Sequence, residues 1–384
     1  MNVTPQLRTC AVLFGIFAGF TLAVWEGLRA EGYAKPSAFT RIRQPISPEA
    51  LFYPPLSMLE NLAIHHWRPG RTIVVIGGNS VLHGVGQSAA ELWSLRLQEL
   101  LGENYLVLNL AFRGAHPAEG GAIVAEALLK RGLPVIYVAN SALGPVARPY
   151  EGTYHYLFWD ARASGALLPN PARTAELDLR LTSAPNRGEL AAQDFKARLD
   201  RRLHFTALWH HVGNRHFSTI WTEVTRAHFW WPRSRFPDAE PAAPPLAQRY
   251  TGPRDVEMQI TRGATATFAE PDGRGGWRLS PGPLHQTEID LAEIFPTALR
   301  PRMVMLLSPA SPYYRDQLTS DERARDRFAF AAYEEVWRRH GIACVTAGTD
   351  FTAADYLDRI HLSPAGGRKL AALVADEIHR LPAP

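Results

Sequence analysis

Residues 71–80 read RTIVVIGGNS. Thr72–Ile76 are all β-branched and almost all apolar, with no polar residue alternating among them. Such a run fits a strand buried on both faces, as parallel strands are when helices cover both sides of a sheet. Gly77 and Gly78 then break the strand in a tight turn, which leaves Asn79 and Ser80 at its carboxyl end.

The same pattern recurs outward from this strand. Ser88–Leu101 places Leu92, Leu95 and Leu100 at roughly helical spacing. YLVLNLA (105–111) reads as a second strand, followed by Gly114 and a helix from near Pro117. PVIYVAN (134–140), RMVMLLSP (302–309) and IACVTAG (342–348) read as three more strands. Ser320 is expected to cap a long helix running through Arg339 and stopped by Gly341. Ser363 as N-cap and Pro364 at the first helical position announce a last helix containing LAALVADEI. Strand and helix alternate, so the core is expected to be α/β with a parallel sheet. In such folds the reactive edge lies at the carboxyl ends of the strands, where Ser80, Gly114 and Asn140 fall.

Gly152–Ala298 interrupts the alternation. It is read as an insertion with a helical region over 198–231, a linker AEPAAPPLAQ (239–248) and a hairpin region near Val256–Leu279. The expected organisation is therefore an anchor over 1–32, a Pro-rich stalk over 33–70 and a first core part over 71–151. The insertion then covers 152–298 and a second core part 299–384.

The anchor is read from TCAVLFGIFAGFTLAVWEGL (9–28), nearly uncharged until Glu26 and closed by Trp25, where an interfacial aromatic belongs. At about 1.5 Å per residue it matches the ~30 Å hydrocarbon thickness of a bilayer. A cleaved signal peptide is the alternative, although no convincing small-x-small site follows the apolar run. Arg8 precedes the segment, whereas Arg29, Lys35, Arg41 and Arg43 follow it, which taken literally directs the large domain to the cytoplasm.

Composition narrows the function classes. The 384 residues are 46% hydrophobic and 20% charged, the balance of a globular chain. The net charge of +4 arises from 41 basic and 37 acidic residues without a dense Lys/Arg run, so no nucleic-acid partner is expected. Cys10 opens the apolar segment and Cys344 sits in an expected core strand, so no pairing between them is expected. No cofactor motif and no metal-ligand spacing is present. His210, His211 and His216, within the aromatic-rich stretch 205–231, lack an ordinary ligand pattern, and a packed lid, a partner-facing surface or a membrane-resting patch suits that stretch better.

Four blocks carry a resemblance. GGNSVLHG (77–84), NLAFRG (109–114), VANS (138–141) and DRIHLSPAG (358–366) occur in the order of the four blocks of the SGNH, or GDSL, hydrolase family, which this chain resembles over about 71–150 and 300–384. The resemblance implies a three-layer, flavodoxin-like parallel sheet with a catalytic triad. By position, Ser80 is the nucleophile, His361 the general base and later acid, and Asp358 the residue that orients His361. The Ser80 N–H, the Gly114 N–H and the Asn140 side chain would form the oxyanion hole. The chain departs from the pattern at Asn79, where the family commonly has aspartate, at Val138 in place of glycine, and at Ser141 in place of aspartate.

Read without the family, the alternatives are Ser80 as a helix cap, Asp358 and His361 as a surface pair, and Asn140 as a turn residue. His83 and His116 near the expected mouth are substitute bases without an aspartate at a helpful spacing. The anchored architecture is also similar to envelope proteins that work beside membrane-bound O-acyltransferases. It implies an extracytoplasmic, periplasmic esterase or O-acyltransferase acting on acylated glycans through an acyl-Ser80. The alternative is a degenerate scaffold serving as an interaction subunit of a membrane complex.

Overall fold

In the computed structural model the described residues are 5–32, 44–47, 50–52, 56–111, 115–143 and 255–382, with isolated positions Gly188, Ala191, Phe195 and Leu203. Five parallel strands form the central sheet: β3 (Thr72–Ile76), β4 (Tyr105–Asn109), β5 (Val135–Ser141), β8 (Met303–Leu307) and β9 (Ala343–Thr346). They lie in the order β4-β3-β5-β8-β9. Ile73 pairs with Leu106 on one side and Val135 on the other, and Val304 pairs with Val138 and Ala343.

Period-two alternation divides each strand between two cores. Ile73, Val75, Tyr137, Met303 and Met305 face one hydrophobic cluster, whereas Val74, Ile76, Val138, Val304 and Leu306 face the other. The first cluster is closed by α2 (Leu56–His66), α5 (Gly121–Lys130) and α9 (Ser320–Arg339). The second is closed by α4 (Trp93–Leu101) and α10 (Pro364–Arg380). A sheet covered on both faces is the reason its strands read as unbroken apolar runs rather than as alternating ones. The chain winds outward from β3 to β4 and then crosses back to β5, so the winding reverses between β3 and β5.

Several local expectations are corrected. The stretch Leu56–His66, read as stalk, is the buried helix α2, because Leu56, Leu59, Leu62 and Ala63 return at helical spacing. A short antiparallel pair, β1 (Gln44–Ser47) and β2 (Ala50–Phe52), precedes it. In α4 the buried stripe is Trp93, Leu97 and Leu101, while Leu92 caps the helix and Leu100 is exposed. The cap of α9 is Thr319, whose hydroxyl accepts from the Glu322 N–H while Glu322 reaches back to the Thr319 N–H. Helix α5 begins at Gly121 rather than near Pro117. A Cβ on Gly121 would lie 2.7 Å from the Gly77 Cα, so only glycine lets α5 approach the end of β3 this closely.

The region read as a hairpin over 256–279 is a helix followed by a hairpin. Helix α6 spans Asp255–Phe268, with Met258, Thr261 and Thr265 buried at helical spacing and Asp255 and Glu257 in its first turn. Strands β6 (Ala269–Pro271) and β7 (Trp277–Leu279) follow, and Asp272 caps their turn by accepting from the Arg274 and Gly276 N–H groups. Helix α7 (Pro281–Glu293) comes next, and Leu291 and Phe295 join the first core cluster. The expected helical region over 198–231 and the linker at 239–248 lie outside the described residues.

Helix α1 (Pro5–Gly32) contains Arg8–Gly27, long and apolar enough to be a membrane anchor or a signal sequence. Phe14, Ile16 and Phe17 on it are exposed. Cys10 and Cys344 are both free thiols.

Candidate active site

The site grows from the end of β3. The ladder continues one residue past the strand through the Gly77 N–H to the Val138 carbonyl at 2.7 Å. Gly78 then takes φ +84°, a left-handed turn that redirects the chain. Asn79 is the N-cap of the single-turn helix α3 (Ser80–His83), its side chain accepting from the Val81 N–H at 3.0 Å. Ser80 therefore stands at the first position after a sharp strand-to-helix turn, half-buried at the carboxyl edge of the sheet. This is the edge of β3 and β5 where the winding reverses, the place at which open α/β sheets gather their reactive groups.

The Gly78 conformation is coupled to the site. A Cβ there would lie 2.5 Å from Asn140 Oδ1 and 2.8 Å from the Asn140 nitrogen. Gly78→Ala is expected to lose about 1–2 kcal/mol from the left-handed backbone alone. The steric contact adds to that by pushing β5 away from the Ser80 turn. A lowered melting midpoint together with loss of Ser80 reactivity is the expected measurement; a midpoint equal to wild type would show that the turn tolerates a side chain.

The second half of the site comes from the loop between β9 and α10. Three backbone ties hold this loop: Leu357 N–H to the His361 carbonyl at 2.8 Å, Ser363 N–H to the Asp355 carbonyl at 2.9 Å, and a bridge pairing Tyr356 with Leu362. Ser363 caps α10, accepting from the Gly366 N–H, with Pro364 at the first helical position as expected. Gln87, fully buried, reaches from the Ser80 side to the Leu362 carbonyl at 3.3 Å while accepting from the Trp93 N–H at 2.9 Å.

Within this loop His361 Nδ1 lies 2.6 Å from Asp358 Oδ2, and His361 Nε2 lies 2.8 Å from Ser80 Oγ. Asp358 Oδ1 accepts from the Ile360 N–H at 2.9 Å and the His361 N–H at 2.8 Å. Burial by itself raises the Asp358 carboxyl, but the hydrogen bonds and charge of His361 and the two backbone donors outweigh it and hold the group at about 2. An ionised carboxylate only accepts, so the proton sits on Nδ1 and the bare Nε2 faces the Ser80 hydroxyl. The arrangement is able to draw the Ser80 proton onto His361 as Oγ forms a new bond.

The structure thus brings together Ser80, Asp358 and His361. Asn140 is fully buried, with its Oδ1 accepting from the Asn79 N–H at 3.0 Å. Its Nδ2 donates to Asn79 Oδ1 at 2.9 Å and to Ser308 Oγ at 3.2 Å, so both amide hydrogens are engaged within the protein. The Ser80 N–H carries no bond to a protein acceptor among the described residues. Gly114 lies outside the described residues. His83 Nδ1 meets the Ala111 carbonyl at 2.8 Å, so His361, rather than His83 or His116, is the histidine set against Ser80.

Two residues here were not expected from the sequence as site residues: Ser308, just past β8, and Gln87. Ser308 has one readable signal, since it ends an apolar run at the same sheet edge as Ser80 and Asn140. Gln87 has none. His210, His211 and His216 lie outside the described residues, and among the described residues no group of three or more His, Cys, Asp or Glu side chains could hold a metal.

No protein-family model matches the chain, and no curated protein matches it in sequence. Among solved structures it is similar to a carbohydrate acetylesterase from Sinorhizobium meliloti, at 11% identity and a TM-score of 0.30, over 81% of this chain and 100% of that one. At that level of superposition the fold and the chemistry rest on this chain's own geometry.

Proposed function

We propose that this protein is a membrane-anchored serine esterase or O-acyltransferase that handles acyl esters of cell-envelope glycans through an acyl-Ser80. The observation that carries the reading is the unbroken chain from Ser80 Oγ through His361 to the ionised Asp358. A serine that merely capped a helix, or an Asp–His pair that merely faced water, would not be joined across 281 residues of sequence by a 2.8 Å contact.

In this mechanism Ser80 Oγ attacks the acyl carbonyl and its proton passes to His361 Nε2. The Asp358 carboxylate, held by the two loop N–H groups, stabilises the imidazolium. The Ser80 N–H is the free donor toward the oxyanion, and Gly114 is proposed beside it. Asn140 joins them as its longer contact, to Ser308, gives way to the developing charge. Collapse of the tetrahedral adduct breaks the ester C–O bond, and His361 returns its proton to the departing sugar oxygen. Water or a second sugar hydroxyl then attacks acyl-Ser80 by the same steps in reverse. The resemblance of the anchored architecture to envelope acyl-transfer proteins is what supports a glycan substrate, a periplasmic domain and a membrane-bound O-acyltransferase partner as part of this proposal. In this proposal helix α1, long and apolar enough to cross a membrane, supplies the tether.

The test is to trap the intermediate. The full chain in detergent is mixed with an activated acetyl ester, quenched in acid, and its peptides are analysed by mass spectrometry. One acetyl group on the Ser80 peptide is the expected result, and its discharge to an added glycan rather than to water would mark a transferase. A folded protein that never acylates at Ser80 would favour the scaffold reading instead.

A further inference from the structure

The loop carrying Asp358 and His361 is gripped at one more point. Arg359 lies between the two in sequence, and its Nε donates to Glu257 Oε2 on α6 at 2.9 Å. The pair is mostly withdrawn from solvent, with side-chain exposures of 18% and 25%. The Arg359 carbonyl accepts from the Ser311 N–H at 2.7 Å, and Ser311 is fully buried.

Helix α6 is itself fixed against the segment after β8, which contains the one-turn helix α8 (Pro312–Arg315). Met258, the neighbour of Glu257, packs with Ala310, Tyr314 and Leu318. One turn further on, Arg262 pairs with Glu322 at the start of α9 at 3.2 Å. Glu257 lies in the first turn of α6, where the helix's positive end favours a carboxylate. A short loop segment thus has Asp358 and His361 in the triad and Arg359, between them, tied to a separate, anchored helix.

We propose that Glu257 is a positioning residue for the triad, acting through Arg359. A displacement of Arg359 cannot be absorbed between Asp358 and His361, because only Ile360 separates it from the histidine. The Nε2–Oγ contact of 2.8 Å and the Nδ1–Oδ2 contact of 2.6 Å therefore depend on where α6 holds the guanidinium. A misplacement of 1 Å at such a site costs ~10²-fold in rate. The catalytic consequence rests on the esterase reading; the positional one does not.

The experiment compares the full-length wild type with Glu257→Gln, Arg359→Lys, and the double variant Glu257→Gln/Arg359→Met. Three readouts are taken: the melting midpoint, the rate of fluorophosphonate labelling at Ser80, and the far-downfield proton resonance of the His361 Nδ1–H bonded to Asp358. Glu257→Gln is expected to keep a midpoint near wild type, to shift or broaden the resonance, and to slow labelling about tenfold, within the range that sub-ångström misplacement allows. The double variant is expected to be no slower than Glu257→Gln alone, as for residues acting as a unit. Should Glu257→Gln fold poorly, Arg359→Lys, which keeps the charge and loses the guanidinium fork, reads the same resonance. A resonance that moves in the variant, while even the wild type never labels, would keep the positioning role and discard the esterase. An unchanged resonance in a folded variant overturns the proposal, whatever the labelling does.

Discussion

Replacing Ser80 by alanine is expected to lower kcat for an activated acyl ester by about 10⁴–10⁶-fold, the loss seen when a triad nucleophile is removed. The Ser80 side chain is small and half-buried, and among the described residues its Oγ hydrogen-bonds to one side chain, at His361 Nε2. The turn around it is held by other atoms: the Gly77 ladder bond, the Asn79 cap and the Asn79–Asn140 pairing. The substitution therefore removes the nucleophile without removing the fold. Initial rates and the melting midpoint, measured side by side, check both halves. Residual turnover above about a hundredth of wild type, with the midpoint unchanged, would place the reactive group elsewhere.

Asp358→Asn is expected to be nearly as damaging, with kcat falling by about 10⁴-fold although every heavy atom keeps its place. Asp358 Oδ1 accepts from two backbone N–H groups, so the amide oxygen of an asparagine takes that side. Its NH2 then faces His361 Nδ1, which has to accept. The ring proton moves to Nε2 and points at Ser80 Oγ, where a lone pair is needed. The effect is on kcat rather than on KM, because the wrong tautomer affects proton transfer and not binding.

The same substitution changes the response to acid. The native Asp358 carboxyl is held at about 2, below its ordinary value of 3.8. Its ionised form therefore adds stability that is complete above the ordinary value and is lost as pH falls toward about 2. The gap in melting midpoint between wild type and Asp358→Asn should be widest at neutral pH and shrink steadily through that window. A gap independent of pH would mean that the carboxylate is not specifically stabilised in the folded state.

Much of the scaffold was legible because its signals are local. Thr72–Ile76 followed by two glycines can hardly be anything but a buried strand and a sharp turn. Ser363–Pro364 marks the start of α10 by the chemistry of its first turn. The spacing of Asp358 and His361 was readable too, since one loop supplies both. Where the reading slipped, two local solutions were nearly equal. Thr319 and Ser320 are both good caps, and only Glu322, three residues past Thr319, separates them. Leu92, Leu95 and Leu100 look like a stripe, yet Leu92 precedes the helix, Leu100 is exposed, and within α4 it is Trp93, Leu97 and Leu101 that are buried.

The stretch Val256–Leu279 was read as a hairpin region, but Met258, Thr261 and Thr265 bury one helical face and only 269–279 pairs as strands. The interactions among Asn79, Asn140 and Ser308 were not legible at all. Each is a common turn residue, and their hydrogen bonds exist only because three strands end side by side. The Glu257–Arg359 pair is hidden for the same reason, since neither residue type is informative until the fold sets them in contact.

The distance along the chain between Ser80 and His361 also has a consequence for biosynthesis. The strand that presents the serine is translated early, and the loop that activates it emerges 281 residues later. That loop leads into α10, whose Leu370, Ala371 and Val374 pack with Trp93 and Leu97 of α4 in the second core cluster. Contacts so remote in sequence form late, after the entropy of closing the intervening chain has been met. On the ribosome the hydroxyl is thus an ordinary alcohol for nearly the whole of synthesis. Whatever reactivity His361 lends to Ser80 therefore arises as a finishing step, once the last helix of the core has been made.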